Sequence, residues 1–81
     1  MDASTSTAIA RALELGQPVR LHARDGEVLV AQILSYDERE VRFAVLRSTR
    51  PERYAVCDST GVARSWDDLE RAVLVSAREA R

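Results

Sequence analysis

The stretch PVRLHARDGEVLVAQILSYD, residues 18–37, constrains the fold most, because Asp25-Gly26 separates two runs rich in apolar residues. An Asp-Gly pair in this context is typical of a β-hairpin with a two-residue turn. Both central positions of such a turn need positive φ, which Gly adopts freely and Asp tolerates. Before the turn, Val19, Leu21 and Ala23 alternate with polar residues, as in a strand with one solvated face. The sequence therefore predicts an antiparallel β domain.

The remaining segments predict one helix and several short strands. A helix is expected over residues 6–15, capped by Ser6 or Thr7 and ended by Gly16, with residues 1–5 disordered. The apolar run 27–36 predicts a strand that bends so that its two halves serve different sheets. Further strands are expected over 41–47, 53–58, 62–66 and 72–75, with a helical turn capped by Asp67 before the last strand.

Together these elements predict a mainly β fold. Residues 1–81 are expected to form a single domain, in which an N-terminal helix precedes a strongly bent, five- or six-stranded antiparallel barrel over 18–76. The predicted core consists of Leu21, Leu29, Ile33, Phe43, Val45, Val56, Leu69 and Val73.

Length and composition place the chain among ordinary globular proteins. It has 81 residues, of which 46% are hydrophobic and 31% charged, with a net charge of −1. No apolar run approaches the roughly 18 residues of a spanning helix, and the first residues lack the pattern of a secretory signal, so we expect a cytoplasmic protein without a membrane partner. The single Cys57 excludes an internal disulfide.

The sequence offers no catalytic or metal-binding set. His22 has no second imidazole or cysteine pair with which to hold a metal, and Cys57 lies in an apolar context typical of a core residue. The three glycines are too far apart for a phosphate-binding loop. We therefore expect a protein that is not an enzyme and that uses no cofactor.

All twelve basic residues are arginine, and five of them lie within fifteen residues. A GC-rich coding sequence would produce this bias, and so would selection for bidentate recognition of phosphate or carboxylate. Two aromatic residues are candidate stacking partners. The candidate RNA-binding set is Arg39, Arg42, Arg47, Arg50, Arg53, Tyr54 and Trp66.

The first half of the chain resembles the first Sm motif of the Sm-like proteins, and in particular of the Hfq type, which also begins with a helix. The matching residues are Val19, Leu21, the Asp25-Gly26 turn, Leu29, Ala31 where the family usually has Gly, Ile33, and the pair Tyr36-Asp37. The resemblance implies an Sm-like or SH3-like barrel that binds RNA as a ring of subunits.

The second half departs from that family. Hfq-type proteins carry a Tyr-Lys-His segment before the last strand, whereas this chain has the longer RYAVCDSTGVARSWDDLERAVLV. Glu38 and Arg39 also stand where Hfq-type proteins present a Gln and an aromatic residue, which removes an aromatic platform and adds a carboxylate. This half is more similar to Sm-fold WYL domains.

Two functions remain open from the sequence. The first is a small non-catalytic module that binds RNA at an altered site as a homo-oligomer. The second is an accessory barrel that binds a protein partner or senses a ligand, without nucleic acid. In either case we expect self-association through strand edges, with 72–75 and 54–57 as the pairing segments.

Overall fold

The computed structural model describes residues 3–54 and 61–76, in which one α-helix packs against a five-stranded antiparallel sheet. The strand order is β4-β3-β2-β1-β5, so that β4 and β5 are the edges. The mainly β prediction is confirmed. A closed barrel is not formed by the described residues, because the four-residue β4 pairs only with β3. The bounds are α1 Ala3–Leu15, β1 Val19–Ala23, β2 Val28–Tyr36, β3 Glu40–Ser48, β4 Val62–Ser65 and β5 Leu69–Leu74.

The sheet is nevertheless strongly coiled. Tyr36 at the end of β2 pairs with Val41, which pairs in turn with Arg64 of β4. The Arg64 side chain, however, bonds to Glu27, which precedes the opposite end of β2. In a flat sheet these positions would lie about 30 Å apart along the strand direction, far beyond the reach of an arginine. Coiling therefore brings β4 over the start of β2.

The helix begins earlier than the sequence predicted. It starts at Ala3. The prediction that residues 1–5 are disordered is therefore wrong for residues 3–5, which the structure describes. Thr5 is buried on the same stripe as Ile9 and Ala12, which extends the apolar face by one turn and holds the first residues in the helix. The helix ends before Gly16, as predicted, with Gly16 at φ 65° and the Gln17 amide donating to the Ala12 carbonyl at 3.0 Å.

The β1–β2 hairpin is confirmed, but its turn is not the predicted one. The Ala23 amide donates to the Glu27 carbonyl at 2.9 Å and the Gly26 amide to the Ala23 carbonyl at 3.1 Å, which leaves three residues in the loop. Among the described residues only glycines have positive φ, so Asp25 does not adopt it. Its Oδ1 instead accepts the Glu27 amide at 3.0 Å, a local bond that stabilises the longer turn.

Strand β2 stays in one sheet, contrary to the expectation that its halves serve two. Its first part lies between β1 and β3, and its second part pairs with β3 alone. The β2–β3 ladder shifts register twice, leaving Leu34 and Leu46 without a cross-strand partner and both exposed. Such bulges increase local twist, which accounts for the coiling.

The core confirms most of the predicted positions. Leu21, Leu29, Ile33, Phe43 and Leu69 are buried, and Val45 packs against them while partly exposed. Val73 is only half-buried, because its register opposite Arg20 puts it on the other side of the sheet. Val56 lies outside the described residues.

The segment after β3 differs from the prediction. Arg53 and Tyr54 belong to a 3₁₀ turn, Pro51–Tyr54, and not to a strand; the rest of the predicted strand lies outside the described residues. The helical turn before the last strand is present as the 3₁₀ turn Trp66–Asp68, but Ser65 caps it by accepting the Asp67 amide at 3.2 Å. Strand β5 starts at Leu69, three residues earlier than expected.

Candidate functional sites

The side of the sheet opposite the core carries a row of cationic residues. Arg20, Val30 and Arg47 lie opposite one another across β1, β2 and β3, and residues paired in this way share a face. His22 and Arg71 are paired in the next row, and Arg42 lies further along β3. We call this the outer face; its basic members are Arg20, His22, Arg42, Arg47 and Arg71, and its other charged or polar members in the ladders are Gln32, Ser35, Glu40 and Ser65.

A groove of about 230 Å³ runs across the outer face, lined by Arg20, Val28, Val30, Arg47, Ser48 and Thr49. Val30 is only 5% exposed although it faces away from the core. Arg20 and Arg47 lie on both sides of it, and long cationic side chains can cover apolar surface with their stems. Among the paired residues of the described ladders, Glu40 is the one acidic residue, and Glu70 lies exposed in the β5 bulge next to Arg71. The outer face is therefore predominantly positive.

A second charged site surrounds Glu27, just after the β1–β2 turn. The Glu27 side chain is fully buried. Its Oε1 accepts from Arg64 Nη2 at 2.6 Å and from Arg53 Nη1 at 2.9 Å. Its Oε2 accepts from Ser48 Oγ at 2.6 Å and from the Tyr54 hydroxyl at 2.5 Å. We call these five residues the Glu27 cluster; it joins the β1–β2 hairpin to the end of β3, the Pro51–Tyr54 turn and β4.

The electrostatics of the cluster keep Glu27 ionised. Burial by itself raises the pKa of Glu27, while the bonds from Ser48 and Tyr54 lower it. The charges of Arg64 and Arg53 act in the same direction, so that the pKa falls below its ordinary value. Burial and the bond to Glu27 raise the pKa of Tyr54. Both shifts agree with a neutral Tyr54 phenol that donates to the ionised Glu27 carboxylate.

Asp25 extends the network to the surface. Arg53 Nη1 donates to its Oδ2 at 2.8 Å, and Arg50 Nη1 lies 3.6 Å from the same oxygen. The bond from Arg53, helped by the Glu27 amide, lowers the pKa of Asp25 to about 2. The same bond raises the pKa of Arg53. Arg50 and Arg53 are thus occupied with carboxylates of their own chain.

The sequence-predicted binding residues are divided among four places. Arg42 and Arg47 lie on the outer face, while Arg50, Arg53 and Tyr54 belong to the network around Asp25 and Glu27. Arg39 is exposed in the β2–β3 turn. Trp66 is buried, donating from Nε1 to the Asp37 carbonyl at 2.6 Å and meeting Tyr36 edge to face, so no ring face is presented as a platform.

Sequence reasoning missed Arg20, Arg71, Glu27 and Arg64. The alternation in β1 already put Arg20 on the solvated side, and the correct start of β5 would have done the same for Arg71. No local pattern marks Glu27 as buried, because its partners come from positions 21 to 37 residues later.

The part of the chain that the structure describes contains no group of three or more residues suited to holding a metal ion. None of its helices is long and apolar enough to cross a membrane. Comparison of the chain with protein-family models, curated proteins and solved structures gave no match.

Proposed function

We propose that this protein is a small non-catalytic Sm-like module that binds single-stranded RNA through its outer face. The observation that carries the proposal is the register that puts Arg20 and Arg47 on either side of a groove, with Arg71 and Arg42 on the same face. Guanidinium groups bind phosphate oxygens bidentately, and a set of them along one face suits a phosphodiester backbone.

The fold supports the Sm-like part of the proposal. A helix followed by five strands in the order β4-β3-β2-β1-β5, with a 3₁₀ turn between β4 and β5, agrees with a small SH3-like barrel topology. Within the described residues no strand pairs with the outer sides of β4 and β5, and we propose that the homo-oligomer forms by strand addition there. The sequence predicted 54–57 as one of the pairing segments, but Tyr54 lies in a 3₁₀ turn. In the proposal β4 therefore takes the place of that segment.

The side chains of the outer face favour binding of the RNA backbone over recognition of its bases. Its described members include no Phe, Tyr or Trp, and His22 is the one ring on which a base could stack, whereas Val28, Val30 and Gln32 lie between the cations. Base stacking is the usual source of affinity for unpaired bases, so on a face with a single stacking ring the phosphate contacts must supply most of the binding free energy. Affinity should therefore depend little on sequence and strongly on salt.

Fluorescence anisotropy with labelled uridine-rich and adenosine-rich RNAs tests the proposal. We expect the Arg20→Gln/Arg47→Gln variant to bind both RNAs more weakly. The slope of log affinity against log salt should become shallower by about one unit for each phosphate that the variant no longer neutralises. The matched control is Arg11→Gln/Arg39→Gln, which removes the same charge from the helix surface and the β2–β3 turn. This control should retain most of the affinity.

Equal reductions of affinity in the two double variants would show that binding follows net charge and not the outer face. Absence of binding near 50 mM salt would overturn RNA binding altogether. The accessory module with a protein partner would then replace it, and its association should respond little to salt.

A further inference from the structure

A cavity outside the outer face lies beside the Glu27 cluster. It has a volume of about 310 Å³ and is lined by Arg24, Asp25, Arg53, Arg64 and Asp68. These residues come from the β1–β2 turn, the Pro51–Tyr54 turn, β4 and the Trp66–Asp68 turn, which coiling of the sheet brings together. Cavities of this size accommodate small molecules.

The three guanidinium groups of the cavity are held in place by their own chain. Arg64 and Arg53 are each fixed through one nitrogen to buried Glu27. Arg24 donates from Nε to the Asp67 carbonyl at 2.5 Å, and its amide donates to the Asp68 carbonyl at 2.9 Å. A preorganised donor set loses less conformational entropy when a ligand binds.

Each of these arginines keeps unused donors. A guanidinium carries five N–H groups. Within the described residues Arg24 uses only Nε, Arg53 only Nη1 and Arg64 only Nη2. The cavity can therefore donate several bonds to a carboxylate or similar oxyanion without breaking the contacts that hold the arginines.

The two carboxylates of the cavity are not equivalent. Both oxygens of Asp25 already accept bonds, from the Glu27 amide and from Arg53. The Asp68 carboxylate is exposed and makes no hydrogen bond or ion pair with any other residue that the structure describes. It is thus an acceptor available for an ammonium group.

Charge balance decides between an anion and a zwitterion. The cavity lining and the groups paired with it carry four guanidinium groups, on Arg24, Arg50, Arg53 and Arg64, and three carboxylates, on Asp25, Glu27 and Asp68. A site of net charge +1 that also presents the Asp68 carboxylate, which no other described residue pairs, repels part of a multiply charged phosphate. It is complementary to a ligand that is itself neutral but carries both charges.

We propose that this cavity binds a small zwitterion of the α-amino acid class. The ligand's carboxylate would bond to the free N–H groups of Arg24 and Arg64, and its ammonium group would bond to Asp68. This site is distinct from the outer face, and the proposal does not depend on RNA binding.

Titration of the full chain, followed by NMR of the arginine Nε–Hε signals, tests the assignment without RNA. L-alanine, L-glutamate and L-lysine are the zwitterionic probes; propionate, n-propylamine and inorganic phosphate are the single-charge controls. We expect saturable shifts of the Arg24 and Arg64 signals with at least one amino acid, and at least tenfold weaker effects with propionate and n-propylamine.

Two matched variants test the role of Asp68. Asp68→Asn removes the free carboxylate, and we expect it to weaken amino-acid binding at least tenfold while leaving the response to propionate unchanged. Asp67→Asn removes the same charge one residue away, outside the cavity lining, and should bind as the unmodified chain does. Arg24→Gln, whose backbone bond to Asp68 is retained, should also weaken binding.

Three results would overturn the proposal. One is the absence of arginine shifts with every amino acid up to 20 mM. A dissociation constant of that value corresponds to a binding free energy of about −2.3 kcal/mol. Another is a response to phosphate or propionate as strong as that to the amino acids. The last is equal binding by Asp68→Asn and Asp67→Asn.

Discussion

At the scale of single residues, Glu27 organises one end of the molecule. It is a buried carboxylate whose two oxygens accept four side-chain bonds, from Ser48, Tyr54, Arg53 and Arg64. A buried charge is tolerated only when it is paired and its lone pairs are satisfied, and here both conditions hold. The partners come from segments far apart in sequence, so Glu27 fixes tertiary structure and not a local turn.

Replacing Glu27 by Gln should destabilise the fold strongly. The change leaves the mostly buried Arg64 guanidinium without its carboxylate, and breaking a buried pair on one side costs about 3–5 kcal/mol. Urea denaturation measures the decrease in stability. Asp25→Asn is the control, since Asp25 is 41% exposed and its surface ion pairs are screened by solvent, so that the loss of stability should be much smaller. Similar decreases in both variants would contradict this role for Glu27.

The free energy of unfolding should fall in acid as the carboxylates of Glu27 and Asp25 become protonated. Both have a pKa that is lower in the folded chain than the ordinary values of 4.5 for Glu27 and 3.8 for Asp25. Their contribution is therefore fully present above about pH 4.5 and is lost as the pH falls toward the folded pKa values, about 2 for Asp25. Thermal denaturation between pH 7 and pH 2 should show this decline, and Glu27→Gln should make it shallower. An unchanged profile in that variant would refute the assignment.

At the scale of elements, two glycines with positive φ differ in how closely neighbouring atoms pack around them. Gly16 ends the helix at φ 65° with open space around its Cα, whereas Gly61 precedes β4 at φ 86°. A Cβ at Gly61 would lie 2.6 Å from the Phe43 carbonyl oxygen and 2.9 Å from Leu34 Cδ1. The backbone of β4 therefore approaches β3 as closely as it does only because residue 61 lacks a side chain.

Gly61→Ala should accordingly cost more than Gly16→Ala. The left-handed conformation alone costs an alanine about 1–2 kcal/mol at either position, and overpacking against Phe43 adds about 1–3 kcal/mol at Gly61. Chemical denaturation of the two variants gives the comparison. Equal destabilisation would mean that β4 shifts away from β3 at no cost.

At the scale of the whole molecule, the open sheet predicts self-association. The described sheet leaves one side of β4 and one side of β5 unpaired, and exposed edges of this kind add strands from other chains unless they are protected. Light scattering across a concentration series should give a mass that rises above one subunit of 9.0 kDa. A constant monomer mass at the highest concentrations would remove both the ring and the dimer from the proposal.

Local patterns in the sequence determined the class of fold. Period-two alternation in 19–23, the Asp25-Gly26 pair and the helix-ending Gly16 act through neighbouring residues only, and each produced the expected hairpin or boundary. The predicted two-residue turn was wrong, because Asp25 Oδ1 accepts the Glu27 amide and stabilises a loop of three residues.

The tertiary structure alone decided which side chains form the two sites. Bulges at Leu34 and Leu46 set which residues of β2 and β3 face outward, and the resulting coil brings Arg64 to Glu27 across the sheet. Neither effect can be read from nearby residues, because register and coiling depend on pairing between segments distant in sequence. The arginine-rich stretch 39–53 therefore looked like one surface in the sequence, and folding divided it between the outer face, a turn and the network around Asp25 and Glu27.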